Sequence, residues 1–132
     1  MRWLPSVLLL LSACSPEATQ PPAERLLYSG AGRDRLCIAG QRGGLIIYGK
    51  DDANCSVRGQ VRRAGDHSLV LTPAGDGDCR IELVEQAGGI RLGKRAGACD
   101  YYCGPGADYS GKVLTTNAAA SPAVDFAGDP LC

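Results

Sequence analysis

Seven cysteines are the residues of this chain with the most chemistry open to them. Six of them, Cys37, Cys55, Cys79, Cys99, Cys103 and Cys132, lie in the body of the sequence. An even set of thiols can cross-link as three disulfides or ligate a metal as thiolates. Zinc asks for paired ligands at finger spacing, yet Cys99 and Cys103 are four apart without a second close pair, and His67 is the one histidine. The pattern predicts three disulfides, no metal and no cofactor. His67 follows Asp66 in a predicted hairpin turn with no nucleophile elbow for it to serve, and the carboxylates Asp51, Asp52, Asp76 and Asp78 fall with Lys94 and Arg95 in polar loops, where solvated charge is the ordinary explanation. No acid–base pair is placed by spacing, so the chain reads as noncatalytic.

Other motifs are weaker. Asp76-Gly77-Asp78 is a fragment of a calcium loop that lacks the downstream glutamate. Gly30-Ala31-Gly32 and Gly104-Pro105-Gly106 resemble phosphate cradles only superficially, because no predicted helix follows either and Pro105 removes an amide donor. The most distinctive stretch is Cys99-Asp100-Tyr101-Tyr102-Cys103-Gly104-Pro105-Gly106-Ala107. Its two tyrosines fit either local packing over the disulfides or a rigid aromatic recognition loop.

The elements that must position these residues are short. Apolar segments at Arg35–Ala39, Leu45–Tyr48, Ser56–Arg62, Ser68–Thr72, Arg80–Val84, Ile90–Leu92 and Lys112–Thr115 are separated by glycine-rich runs, among them 40–44, 64–66, 74–78 and 86–89. This spacing predicts an all-β domain, a small antiparallel barrel or sandwich stapled by disulfides, with strands between residues 33 and 116. A hairpin with Arg63 opposite Leu69 puts Val61 opposite Leu71, and the next turn puts Ile81 opposite Leu71 and Leu83 opposite Leu69. Leu69, Leu71, Ile81 and Leu83 are then buried on one face. Extending the register brings Cys55 beside the turn leading to Cys79 and predicts a bond between them. The other four cysteines pair in three ways that sequence leaves open; Cys99–Cys103 with Cys37–Cys132 is the preferred set.

Lys plus Arg and Asp plus Glu number 14 each, a formal net charge of zero. Binding to a nucleic-acid backbone relies on excess positive charge. The one local excess, Arg58, Arg62 and Arg63, alternates with Val57, Gly59 and Val61 as a solvated strand face does, and no nucleic-acid partner is expected.

At the start of the chain, Arg2 precedes an apolar run to Leu11 and then Ser12-Ala13-Cys14. The run is too short for a spanning helix, which needs about 20 residues, and it has the form of a secretory leader. Leu11-Ser12-Ala13-Cys14 resembles the lipobox of bacterial lipoproteins. The resemblance implies a leader at 1–13, acylation of Cys14, a flexible tether at 14–25 and one disulfide-rich domain at 26–132. Ser15, in place of aspartate, implies lipid anchoring at the periplasmic face of the outer membrane; a Gram-positive source would put the same anchor on the plasma membrane. The implied role is that of a noncatalytic cell-envelope protein that binds something or supports the surface, with the membrane as partner.

The stretch Tyr101 to Ala107, followed by Ser110-Gly111-Lys112, resembles small lipoproteins of alphaproteobacteria, a resemblance that brings no activity with it. A lipidated, disulfide-bonded β domain of this size is also similar to the membrane-bound inhibitors of C-type lysozyme, small β-barrels that insert a loop into the lysozyme cleft. Their Ser-Gly-x-x-Tyr motif is met in part by Ser110-Gly111, with Leu114 at the tyrosine position, and by Ser29-Gly30, with Arg33 there. That resemblance implies lysozyme as a protein partner, with Ser110, Gly111 and Lys112 as the binding loop and Tyr101 and Tyr102 beside it.

Overall fold

The computed structural model describes residues 25–132; the leader at 1–13, Cys14 and all of the tether but Arg25 lie outside the described residues. Eight antiparallel strands, β1 (Arg25–Ser29), β2 (Arg35–Ala39), β3 (Arg42–Tyr48), β4 (Asn54–Gly65), β5 (Ser68–Pro73), β6 (Ile81–Gln86), β7 (Gly89–Leu92) and β8 (Val113–Thr116), follow one another in chain order. The sheet closes into a barrel where β8 pairs with β1, Tyr28 opposite Thr116 and Ser29 opposite Thr115. Alternation along each strand sends one set of side chains inward. Leu36, Leu45, Ile47, Leu71, Ile81, Leu83, Leu92 and Leu114 are fully buried there. An eight-stranded barrel is just wide enough for such side chains to fill, so the interior is a packed core.

The β4–β5–β6 register is the one the apolar pattern specifies, Val61 opposite Leu71, Arg63 opposite Leu69, Leu71 opposite Ile81 and Leu69 opposite Leu83. Leu69 is half-buried where full burial was expected. Strand β1 is an addition, since Leu26-Leu27-Tyr28 shows no alternation. The reason is that both of its faces are covered: Leu26 and Tyr28 join the barrel core, and Leu27 packs outside with Cys37, Ile46, Tyr48, Ala123, Leu131 and Cys132. This outer cluster is the C-terminal segment lying across β1, β2 and β3, held by the Cys37–Cys132 disulfide. It also corrects the glycine run 40–44. Only Gly40-Gln41 form the turn, and Gly43 and Gly44 are buried strand residues. A side chain on Gly44 would run into Leu131.

The expected Cys55–Cys79 bond is not formed. Cys55 is bonded to Cys103, and Cys79 to Cys99. The hairpin register ends one step past Gly59: the Ala74 N–H still donates to the Arg58 carbonyl at 3.0 Å, but β5 has ended at Pro73. The chain then turns, with the Asp76 N–H donating to the Pro73 carbonyl at 3.1 Å and Gly75 at φ +75°. Beside Cys55 the vacant edge is taken by Cys103, as an isolated antiparallel bridge. The preferred Cys99–Cys103 bond fails for a different reason. Residues Gly97–Tyr102 form a 3₁₀ helix that holds Cys99, whereas Cys103 is its extended C-cap; Cys99 is bonded to Cys79 in the β5–β6 loop, and Cys103 lies along β4 against Cys55.

Candidate functional site

The residues singled out as candidate binding groups all lie on the connection between β7 and β8, residues 93–112. This segment is far longer than the two-residue turns Asp66-His67 and Ala87-Gly88 that join β4 to β5 and β6 to β7. Cys99, Ala107 and Tyr109 belong to the barrel core, so the connection folds over the end of the barrel from which β7 leaves and β8 enters. Tyr109 is fully buried, and its hydroxyl has no hydrogen-bond partner among the described residues. Burial pushes that phenol above its ordinary value.

Ser110, Gly111 and Lys112 form a turn that lies against β7. The Lys112 N–H donates to the Tyr109 carbonyl, the Gly111 N–H to Leu92 and the Leu92 N–H to Lys112, at 2.8 to 3.1 Å. Gly111 has φ +71°, a conformation glycine takes without steric cost. The Ser110 hydroxyl donates to Asp108 Oδ1 at 2.7 Å and accepts the Arg95 N–H at 2.8 Å. Both Ser110 donors hold the Asp108 carboxyl below its ordinary range. Lys112 is exposed. Arg95, which the sequence placed among solvated loop charges, organises this region: its guanidinium pairs with Asp100 at 3.1 Å and donates to the Ala107 carbonyl at 2.9 Å.

Tyr101 and Tyr102 meet edge to face, with ring centroids 5.2 Å apart. Tyr101 is 89% exposed. The Tyr102 hydroxyl donates to Asp76 Oδ2 at 2.7 Å, so this tyrosine is tied to the β5–β6 loop and not to the Ser110 turn. That hydrogen bond pushes the phenol up to about 12 and holds the Asp76 carboxyl below its ordinary value of 3.8, with help from the Asp78 N–H. Asp76 supports the fold fully above about pH 4 and loses that support as the pH falls through its depressed pKa. Tyr102 contributes fully below about pH 10, and its support goes as the pH rises through about 12. In Tyr102→Phe, the Asp76 carboxyl followed by carbon NMR is expected to titrate higher than in the parent chain, though still below 3.8 because the Asp78 N–H remains. An unchanged midpoint would contradict this contact.

Other sequence motifs resolve into turns. Asp76 Oδ1 accepts the Asp78 N–H at 3.1 Å, which makes the calcium-like fragment a side-chain turn. In Gly104-Pro105-Gly106 the Ala107 N–H donates back to Gly104 at 3.1 Å, with Gly106 at φ +91°. His67 is exposed in its hairpin turn.

The structure adds a feature that the sequence did not show, a groove of about 820 Å³ on the outside of the barrel. Its floor is made by β3, β4 and β5, one wall by Ala74 to Gly77 and the other by Pro130 to Cys132. Arg42, Gln60 and Thr72 are directly opposed across the three strands and share the outer face, with Arg58 two residues from Gln60 on that same face. Arg58 approaches Asp125 at 3.6 Å. The available sequence signals were the alternating arginines of β4 and the glycines Gly43 and Gly59 among strand residues. Among the described residues no group of three or more His, Cys, Asp and Glu could hold a metal ion, and no helix is long and apolar enough to cross a membrane. No family model matches this chain, and neither the curated proteins nor the solved structures give a match.

Proposed function

We propose that this chain is a noncatalytic, lipid-anchored protein of the cell envelope that works by binding, with the packed barrel as a rigid scaffold for surface sites. The observation that carries this reading is the pairing of Cys37, Cys55, Cys79, Cys99, Cys103 and Cys132 in three disulfides. Such bonds persist in oxidising compartments outside the cytosol, as export by the leader would require. The filled interior supports a surface role, since it leaves the groove and the loops for recognition. Anchoring rests on the lipobox resemblance at Cys14, and the multiple acyl chains it implies bind a membrane stably. Cys14→Ala is expected to abolish fatty-acid labelling and to move the chain from the membrane to the soluble envelope fraction. Labelling that survives the substitution would overturn the anchor.

A second reading, inhibition of C-type lysozyme, is favoured by the closed small barrel and the exposed Lys112. Ser110 spends its hydroxyl inside the turn, which leaves Lys112 as the group able to meet the carboxylates of the lysozyme cleft. In a turbidity assay with peptidoglycan, the whole Cys14→Ala chain should slow lysozyme, and Lys112→Glu should weaken that effect by about 1–2 kcal/mol. No slowing at micromolar concentration would remove this reading.

A further inference from the structure

We propose that the groove on the outer face of β3, β4 and β5 is a binding site for a small amphipathic oxyanion, a molecule with a carboxylate or phosphate head and an apolar body. The proposal rests on the binding role above and names the site and the ligand class.

The hydrogen-bonding groups left free in the groove are mostly donors. Arg42 has no ion-pair partner among the described residues, and Arg58 is half-exposed with its one carboxylate at 3.6 Å, beyond ordinary hydrogen-bond reach. Gln60 has its carbonyl oxygen engaged by Arg62 at 3.2 Å, which leaves its amide N–H groups to donate. The side-chain carboxylate among the lining residues, Asp76, is already occupied by the Tyr102 hydroxyl and the Asp78 N–H.

Arg42 and Arg58 stand diagonally across β3 and β4, because Arg42 is opposite Gln60 and Arg58 is opposite Gly44. Diagonal neighbours of this kind are within reach of long side chains, so two guanidinium forks can converge on one head group. The fork matches carboxylate and phosphate alike. Gly44 places no counter-charge against Arg58; the space beside it is taken by Leu131.

The walls have the opposite character. Ala74 on one side and Pro130 on the other are exposed at the walls, backed by the buried Pro73 and Leu131, and the volume of about 820 Å³ falls in the range of small-molecule sites. An anionic head at the arginines with an apolar body along Ala74 and Pro130 satisfies both halves.

The test uses the whole chain carrying Cys14→Ala, oxidised and free of detergent, with octyl phosphate, octanoate, octanol and inorganic phosphate as probes. Proton–nitrogen NMR is expected to show the side-chain N–H signals of Arg42 and Arg58 and the amides of Gly59 and Gln60 moving with octyl phosphate, octanoate or both. The tighter of the two identifies the head group. Octanol and inorganic phosphate should each bind at least tenfold more weakly. The double variant Arg42→Gln/Arg58→Gln should lose at least tenfold in affinity, and Arg91→Gln, on β7, should lose nothing. Unmoved groove signals, equal binding by octanol, equal binding by inorganic phosphate, or full affinity in the double variant would each overturn the proposal. The anchored, noncatalytic reading would survive any of these results, because it is decided by acylation and fractionation of the Cys14→Ala chain.

Discussion

Replacing Cys37 and Cys132 together by alanine is expected to cost the fold about 4–5 kcal/mol, the largest loss from removing any one bridge. The bond spans 95 residues, against 48 for Cys55–Cys103 and 20 for Cys79–Cys99. Cross-linking removes entropy from the unfolded chain in proportion to the logarithm of the loop, so loss of the shortest bridge should cost only about 3 kcal/mol. Release of the C-terminal segment adds to the larger figure by uncovering Ile46 and Leu131, both buried. At roughly 4 °C or more per kcal/mol for a domain of this size, the melting temperature should fall by about 20 °C. Calorimetry of the two double variants beside the parent chain checks the order. A smaller fall for Cys37/Cys132 than for Cys79/Cys99 would mean that the tail is not a fixed part of the fold.

Gly59→Ala is expected to destabilise the protein by about 3 kcal/mol or more, through a single methyl group. The added carbon would fall on the Thr72 carbonyl oxygen, 2.8 Å from its carbon and 2.9 Å from Pro73 Cα. These are backbone atoms of the neighbouring strand, so no rotamer change relieves the clash and β4 and β5 must part. Gly77→Ala is the natural control. Nothing lies within 4 Å of the added carbon there, and its effect should stay within about 0.5 kcal/mol. Urea unfolding with the disulfides intact compares the two, and equal midpoints would contradict the close approach of β4 to β5.

The barrel was legible wherever one face of a strand is buried and the other wet. Val61, Leu71 and Ile81 fix three strands in register, because a slip of one residue would turn each of them to solvent. Where both faces are covered the alternation vanishes, which hid β1 and made Gly43 and Gly44 look like turn residues. The disulfide pairing was out of reach because of two local changes of direction, the turn after Pro73 and the passage from the 3₁₀ helix holding Cys99 to the extended backbone of Cys103. The candidate loop was readable as a list of residues but not as a shape. Nothing adjacent in sequence tells Ser110 that Asp108 and Arg95 will hold its hydroxyl, or Tyr102 that Asp76, 26 residues earlier, will accept its hydrogen bond. The groove was the least visible feature. It is built from side chains that are missing at glycines and from a wall at Pro130 and Leu131 that arrives only when the tail is in place.

The pairing of β1 with β8 sets the order in which the molecule can be completed. Every other strand pair joins neighbours in sequence, so seven hairpin-like units can assemble as the chain is delivered, whereas closure needs residues 86 to 88 positions apart to meet. Until then the sheet has two open edges, β1 and the last strand added, each a template for pairing with another chain. Contacts of such long range form slowly. During that interval Cys37 waits for a partner 95 residues downstream, while Cys55 emerges 18 residues after it. The early thiols are therefore exposed to mispairing before the native partner exists, and a Cys37–Cys55 bridge formed in that interval must be reshuffled before the barrel can shut. Passage to the native state then runs at the pace of thiol–disulfide exchange, which depends on the thiolate available to attack.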